Sequence, residues 1–111
     1  MDRLKDKVAI ITGAGTGVGA ACMKIFAAQG ARVVGVSRTR SNLENVLSEV
    51  KEAGGDGHIV AADLVDPSSA DKIVKETMNK FGRIDILVNS AGVGYNYEKT
   101  SPGSMADVAN L

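Results

Sequence analysis

The sequence predicts an α/β fold, a doubly wound parallel sheet with helices on both faces, truncated after its fourth strand. Three observations predict it. Short, almost wholly apolar runs alternate with longer segments of helical period; the connections between them are short; and glycine or Asp-Pro signals stand at the junctions. With 111 residues, 44% of them apolar, the chain suits one layered domain over residues 1–111.

Residues 7–12, KVAIIT, are a β-branched run that enters glycines at once, the pattern of a buried strand ending in a tight turn. Val18, Ala21, Cys22, Ile25 and Phe26 then recur at helical spacing up to Gln29-Gly30, which predicts a helix covered along that stripe. Residues 32–37, RVVGVS, form the second strand. Ser41 and Glu44 have the spacing of a capping box, and Leu43, Val46, Leu47 and Val50 line one face of the helix that Gly54-Gly55 stops. Residues 58–62, HIVAA, fit a third strand ending near Asp63, and Asp66-Pro67 reads as a helix cap followed by proline in the first turn. Ala70, Ile73, Val74, Thr77, Met78 and Phe81 give the third helix one apolar side, and Gly82 closes it. A fourth strand follows at 84–89, IDILVN. Residues 90–104 have no sustained period and read as a loop, after which MADVANL has the look of a helix begun.

Composition excludes several functions. Thirteen basic residues balance thirteen acidic ones, so no overall field draws the chain to nucleic acid or an anionic membrane. No apolar run approaches the roughly 20 residues that span a bilayer, and the expectation is a soluble, cytoplasmic protein. Cys22 and His58 are the only residues of their kinds, which rules out an internal disulfide and a Cys/His metal cluster within one chain. Cys22 is expected to pack as a small hydrophobe.

Between the first strand and the first helix the chain reads TGAGTGVGAA, with glycines at 13, 15, 17 and 19. Glycines permit unusual dihedrals and let backbone N–H groups approach a pyrophosphate, whose charge the helix N-terminus favours. Gly15, Gly17 and Ala20 also satisfy a bare G-x-G-x-x-G/A pattern, and its position between a buried strand and an amphipathic helix strengthens it. The alternative is a tight turn whose glycines serve helix–sheet packing alone. An NTPase phosphate loop is disfavoured, because Gly-Lys-Ser/Thr does not follow and Lys24 lies too far along the helix. The end of the second strand should reach the adenosine ribose, where a carboxylate suits a free 2'-hydroxyl and an arginine a 2'-phosphate. Ser37, Arg38, Thr39 and Arg40 stand there, and no acidic residue occurs between Gly13 and Glu44. NADP is therefore preferred over NAD, with Arg38 as main contact and Ser37 as hydrogen bonder; the alternative for the arginines is a solvated turn.

These residues together resemble the short-chain dehydrogenase/reductase family over essentially the whole chain. Thr12-Gly13, Gly17 and Gly19 match its TGxxxGxG loop, Asp63-Leu64 its adenine-side aspartate, and Asn89-Ser90-Ala91-Gly92 its Asn-Asn-Ala-Gly motif, with Ser90 in place of the second asparagine. The resemblance implies a Rossmann-like NAD(P)-binding domain, the N-terminal part of such an enzyme. The cofactor residues it implies are Thr12, Gly13, Gly15, Thr16, Gly17, Val18 and Gly19 at the pyrophosphate, with Ser37 and Arg38 at the 2'-phosphate. Asp63 and Leu64 fall at the adenine, and Asn89, Ala91 and Gly92 at the ribose and central sheet. Physics alone leaves Asp63 equally a turn residue and Asn89 equally a loop start.

Family members are usually about twice this length, and the part absent here carries the catalytic serine, tyrosine and lysine. Tyr95 and Lys99 have the tyrosine-x-x-x-lysine spacing, yet Tyr95 comes only three residues after Gly92 and the pair falls in a predicted loop, far short of the helix that should carry it, so no catalytic residue is assigned. A continuing protein is expected to move hydride between NADP(H) and a small-molecule carbonyl or alcohol and to form a homo-oligomer. The 111-residue chain alone is expected to be inactive and to aggregate or pair strands at its open sheet edge. The other reading is a non-catalytic nucleotide-binding or interaction protein whose sheet another chain completes.

Overall fold

The computed structural model describes residues 3–90, and the expectations for Ala91, Gly92, Tyr95, Lys99 and MADVANL lie outside the described residues. The elements run β1 (Val8–Thr12), α1 (Gly17–Ala28), β2 (Arg32–Ser37), α2 (Arg40–Glu52), β3 (Asp56–Ala61), α3 (Ser69–Phe81) and β4 (Ile86–Asn89). All strand pairs are parallel, in the order β3-β2-β1-β4. The chain steps outward from β1 to β3 and then returns past β1 to β4, and that reversal sends its helices to opposite faces under right-handed crossovers. Ile11, Val33 and Ile59 pack with Met23 of α1 and with Leu43, Val46 and Val50 of α2 on one face. Val8, Ile10, Val34, Val36 and Val60 pack with Ile73 of α3 on the other. Every residue of β1 is buried, as its apolar run predicts for a central strand. No helix among the described residues is long and apolar enough to cross a membrane.

Packing turns two helices away from their apolar stripes. In α1 the covered line is Gly19 and Met23, flanked by half-buried Ala20, Cys22, Phe26 and Ala27, whereas Val18 and Ile25 are 60% and 58% exposed and Ala21 is open. Glycine carries no hydropathic weight, yet its bare surface admits the strand turn, so the helix seats on Gly19 and rotates Val18 and Ile25 outward. In α3 the buried line is Ser69, Ile73 and Thr77 with half-buried Phe81, and Ala70, Val74 and Met78 face out. Hydroxyls are tolerated there because each is satisfied: Thr77 donates to the Ile73 carbonyl at 2.8 Å and Ser69 to the Asp63 carbonyl. Leu87 of β4, in register with Ile10, lies on the same face of the sheet as α3 but is 66% exposed.

Boundaries also move. Helix α2 starts one residue before Ser41, with Thr39 as its cap position and no side-chain cap bond, so the Ser41/Glu44 box is not made; Glu44 pairs instead with Arg40 at 3.7 Å. Strand β3 begins at Asp56 because the Gly57 backbone can lie against Val33, where an added Cβ would stand 2.9 Å from the carbonyl oxygen. Asp66 caps a turn rather than α3: its carboxylate accepts from the Ser68 N–H and hydroxyl, which hold it below the usual carboxylate range, and Ser68 is the cap position. Gly82 closes α3 in the left-handed region, φ 77.

Strand β4 starts at Ile86 because Asp85 makes the preceding link with its side chain. Its N–H donates to the Val8 carbonyl and its Oδ2 accepts from the Val8 N–H, each at 2.9 Å. Arg83, 2.8 Å away, and the Val8 N–H together hold the Asp85 carboxyl below its ordinary range. A depressed folded pKa contributes stability that is present above the unfolded value of about 3.9 and is lost as pH falls through the folded one. Asp85→Asn is therefore expected to lower the urea midpoint at pH 7 and to narrow its gap from wild type toward pH 3; an equal gap at both pH values would refute the electrostatic link.

Candidate functional site: a cleft at the strand ends

The carboxyl ends of the strands open on a cavity of about 370 Å³, beside the point where the strand order reverses between β1 and β4. One wall is the turn into α1, from Gly13, Thr16, Gly17, Val18 and Gly19; a second is Val36, Ser37 and Arg38 from β2. Ala62, Asp63, Leu64 and Val65 follow β3 to form the third, and Ser90 stands after β4.

The glycines divide the work of the turn. Gly13 and Gly17 take φ values of 64 and 59, which a β-carbon would strain. A Cβ on Gly17 would meet nothing within 4 Å, so its face is open. Gly19 is the opposite case: a Cβ there would lie 2.0 Å from the Gly13 carbonyl oxygen, and its absence is what lets α1 sit on the turn. Gly15 does not line the cavity; a Cβ on it would stand 3.0 Å from Asn42 Cβ and 3.1 Å from Ser37 Oγ. Thr16 precedes α1 in extended conformation without a side-chain cap bond. The first-turn N–H groups of a helix have no partner within it, which gives the cleft a patch of positive potential at Gly17, Val18 and Gly19.

The other strand ends are held by local bonds. Ala14 N–H donates to the Val36 carbonyl at 3.0 Å and Ala62 N–H to the Ser37 carbonyl at 2.9 Å, fastening the β1 and β3 exits to β2. Ser37 Oγ accepts from the Thr39 N–H at 3.2 Å, turning the chain into α2 just past Arg38. Arg38 is exposed, and no ion pair among the described residues uses it, whereas Arg40 is engaged by Glu44 outside the cavity. Asp63 Oδ1 accepts from the Val65 N–H at 3.0 Å, so the aspartate serves its turn while lining the cleft. Thr12 and Asn89 lie below the cavity, where the Thr12 hydroxyl donates to Asn89 Oδ1 at 2.9 Å and ties β1 to β4.

Of the residues singled out in the sequence, Gly13, Thr16, Gly17, Val18, Gly19, Ser37, Arg38, Asp63 and Leu64 converge on one cavity; Thr12, Gly15 and Asn89 lie behind its walls. Val36, Ala62, Val65 and Ser90 also line it. Val36 and Ala62 read only as strand residues, and Val65 carried no motif. Ser90 had a signal, its departure from the asparagine pattern, that said nothing of where its hydroxyl goes.

Residues 7–110 match the family model described as short chain dehydrogenase. An uncharacterized oxidoreductase of Mycobacterium tuberculosis is 46% identical over 92 residues, 83% of this chain and 35% of that protein. The crystal structure of glucose dehydrogenase of Caenorhabditis elegans superposes with a TM-score of 0.76 at 38% identity, covering 79% of this chain and 38% of the other. A metagenomic short-chain oxidoreductase in complex with NADP gives a TM-score of 0.77 at 35% identity, over 91% of this chain and 47% of that one. The chain thus spans less than half the length of these relatives.

Proposed function

The chain belongs to the short-chain dehydrogenase family, and on that premise we propose that it is the NADP-binding portion of an oxidoreductase acting on a carbonyl or alcohol. The observation that carries the reading is the juxtaposition of Arg38 and the first turn of α1 on two walls of one cavity. A dinucleotide with a phosphorylated ribose needs two anion sites of this kind, one made of backbone N–H groups and one of a guanidinium. The residues fit the group: Gly17 leaves open space where a side chain would stand, and Arg38 has no ion-pair partner among the described residues. Gly17, Val18 and Gly19 would hold the pyrophosphate, Arg38 and Ser37 the 2'-phosphate, and Asp63 with Leu64 the adenine end. Thr12 and Asn89 would keep the β1 and β4 ends together beneath them, and Gly15 would let the turn lie against α2. When bound, NADP(H) accepts or supplies the hydride. Proton transfer to the substrate oxygen is assigned to no described residue.

Fluorescence titration of the chain with NADPH and with NADH tests the proposal. NADPH is expected to bind the tighter of the two, by about 10-fold or more, since a charge-assisted contact contributes roughly 1.5–3 kcal/mol. Equal affinities would remove the NADP assignment, and binding of neither would remove the cofactor reading.

A further inference from the structure

Ser90 lines the cavity, and the cofactor reading gives it no task. It follows β4, and its hydroxyl donates to the carbonyl of Thr12, the last residue of β1. The next residue, Gly13, takes φ 64, and its carbonyl oxygen stands 2.0 Å from the point where a Cβ on Gly19 would sit; Ser90 Oγ stands 2.8 Å from the same point. The end of β4, the turn after β1 and the first turn of α1 therefore meet in one contact at the edge of the cleft. Whatever holds the Thr12–Gly13 peptide also sets where the first-turn N–H groups of α1 stand relative to the cavity. The Thr12–Asn89 bond secures the strands below this level, the Ala14 N–H ties the turn to β2 through the Val36 carbonyl, and the Ser90 bond ties it to β4.

Resting on the NADP reading above, we infer that Ser90 is a positioning residue for the cofactor pyrophosphate. Its hydroxyl, acting through Thr12 and Gly13, holds the glycine turn so that the first turn of α1 presents its N–H groups to the phosphates. Arg38 and Asp63 are reached from β2 and β3 and do not depend on this contact.

Adenosine 2'-monophosphate separates the two halves of the cleft, because it carries the adenine and the 2'-phosphate but no pyrophosphate. In Ser90→Ala, NADPH and NADH are both expected to bind about 3- to 10-fold more weakly, the range for one lost neutral hydrogen bond, with their ratio unchanged. Affinity for adenosine 2'-monophosphate is expected to stay at the wild-type value, which a merely structural loosening of the fold would not leave intact. Unchanged NADPH affinity, or equal losses for NADPH and adenosine 2'-monophosphate, would overturn the inference while leaving the NADP reading standing. Failure of the wild-type chain to bind either ligand would overturn both. Should Ser90→Ala not fold, Ser90→Cys, close in size and a weaker donor, is titrated with the same three ligands under the same outcomes.

Discussion

Gly19→Ala is expected to destabilise the chain by about 3 kcal/mol, the upper end of the usual range for overpacking, or to prevent folding altogether. The added methyl carbon would lie 2.0 Å from the Gly13 carbonyl oxygen and 2.6 Å from its carbon, both backbone atoms that no rotamer change can move aside. Relief requires lifting the N-terminus of α1 off the turn, and that would uncover Met23, which is fully buried between the helix and the sheet. Gly17→Ala is the contrasting case. Its methyl meets nothing within 4 Å, so only the left-handed backbone, φ 59, is penalised, at about 1 kcal/mol. Urea unfolding followed by circular dichroism compares the two, and a wild-type midpoint for Gly19→Ala would show that the turn yields where its geometry says it cannot.

Arg38→Ala is expected to weaken NADPH binding by about 10- to 100-fold, from the roughly 1.5–3 kcal/mol of hydrogen bonds to a charged group, and to leave NADH binding within 2-fold or so. The side chain is exposed, so its loss should not touch stability, and the remaining NADPH affinity should lose much of its salt dependence. Arg40→Ala supplies the control: it is two residues on, carries the same charge, and is spent on Glu44 away from the cavity. If both substitutions weaken NADPH alike, the effect is one of general charge and Arg38 is no specific contact.

Legibility followed the kind of information each residue carries. The strands were readable because a buried parallel strand is apolar throughout, as the five buried residues of β1 are. The glycine turn was readable because four glycines in seven positions between a strand and a helix have few other uses, and Arg38 because it follows a strand that ends where the turn sits. The covered lines of α1 and α3 were legible only in part: Ile73, Thr77 and Phe81 stood in the expected stripe of α3, whereas Gly19 and Ser69 are residues that a hydropathy stripe ignores or counts as polar. Gly19 is buried for the side chain it lacks, and Ser69 and Thr77 are buried because nearby carbonyls accept their hydroxyls. The capping box at Ser41 failed for a similar reason: Ser37 turns the chain through the Thr39 N–H and starts the helix early.

By itself the sequence determined the alternation of strands and helices, the parallel sheet, the glycine-rich turn and the arginine beyond the second strand. These are local properties, set by period, propensity and spacing within a dozen residues. Only the tertiary structure decided the contacts by which β4 is fixed to β1, because pairing across 77 positions, from Val8 to Asp85, leaves no local mark on either segment. That same pairing brings Ser90 against Thr12 and Gly19, and it separates Gly17, whose missing side chain leaves open space, from Gly19, whose missing side chain lets the helix seat on the turn. The difference lies in what faces each α-carbon, and that is fixed by elements far apart in the chain.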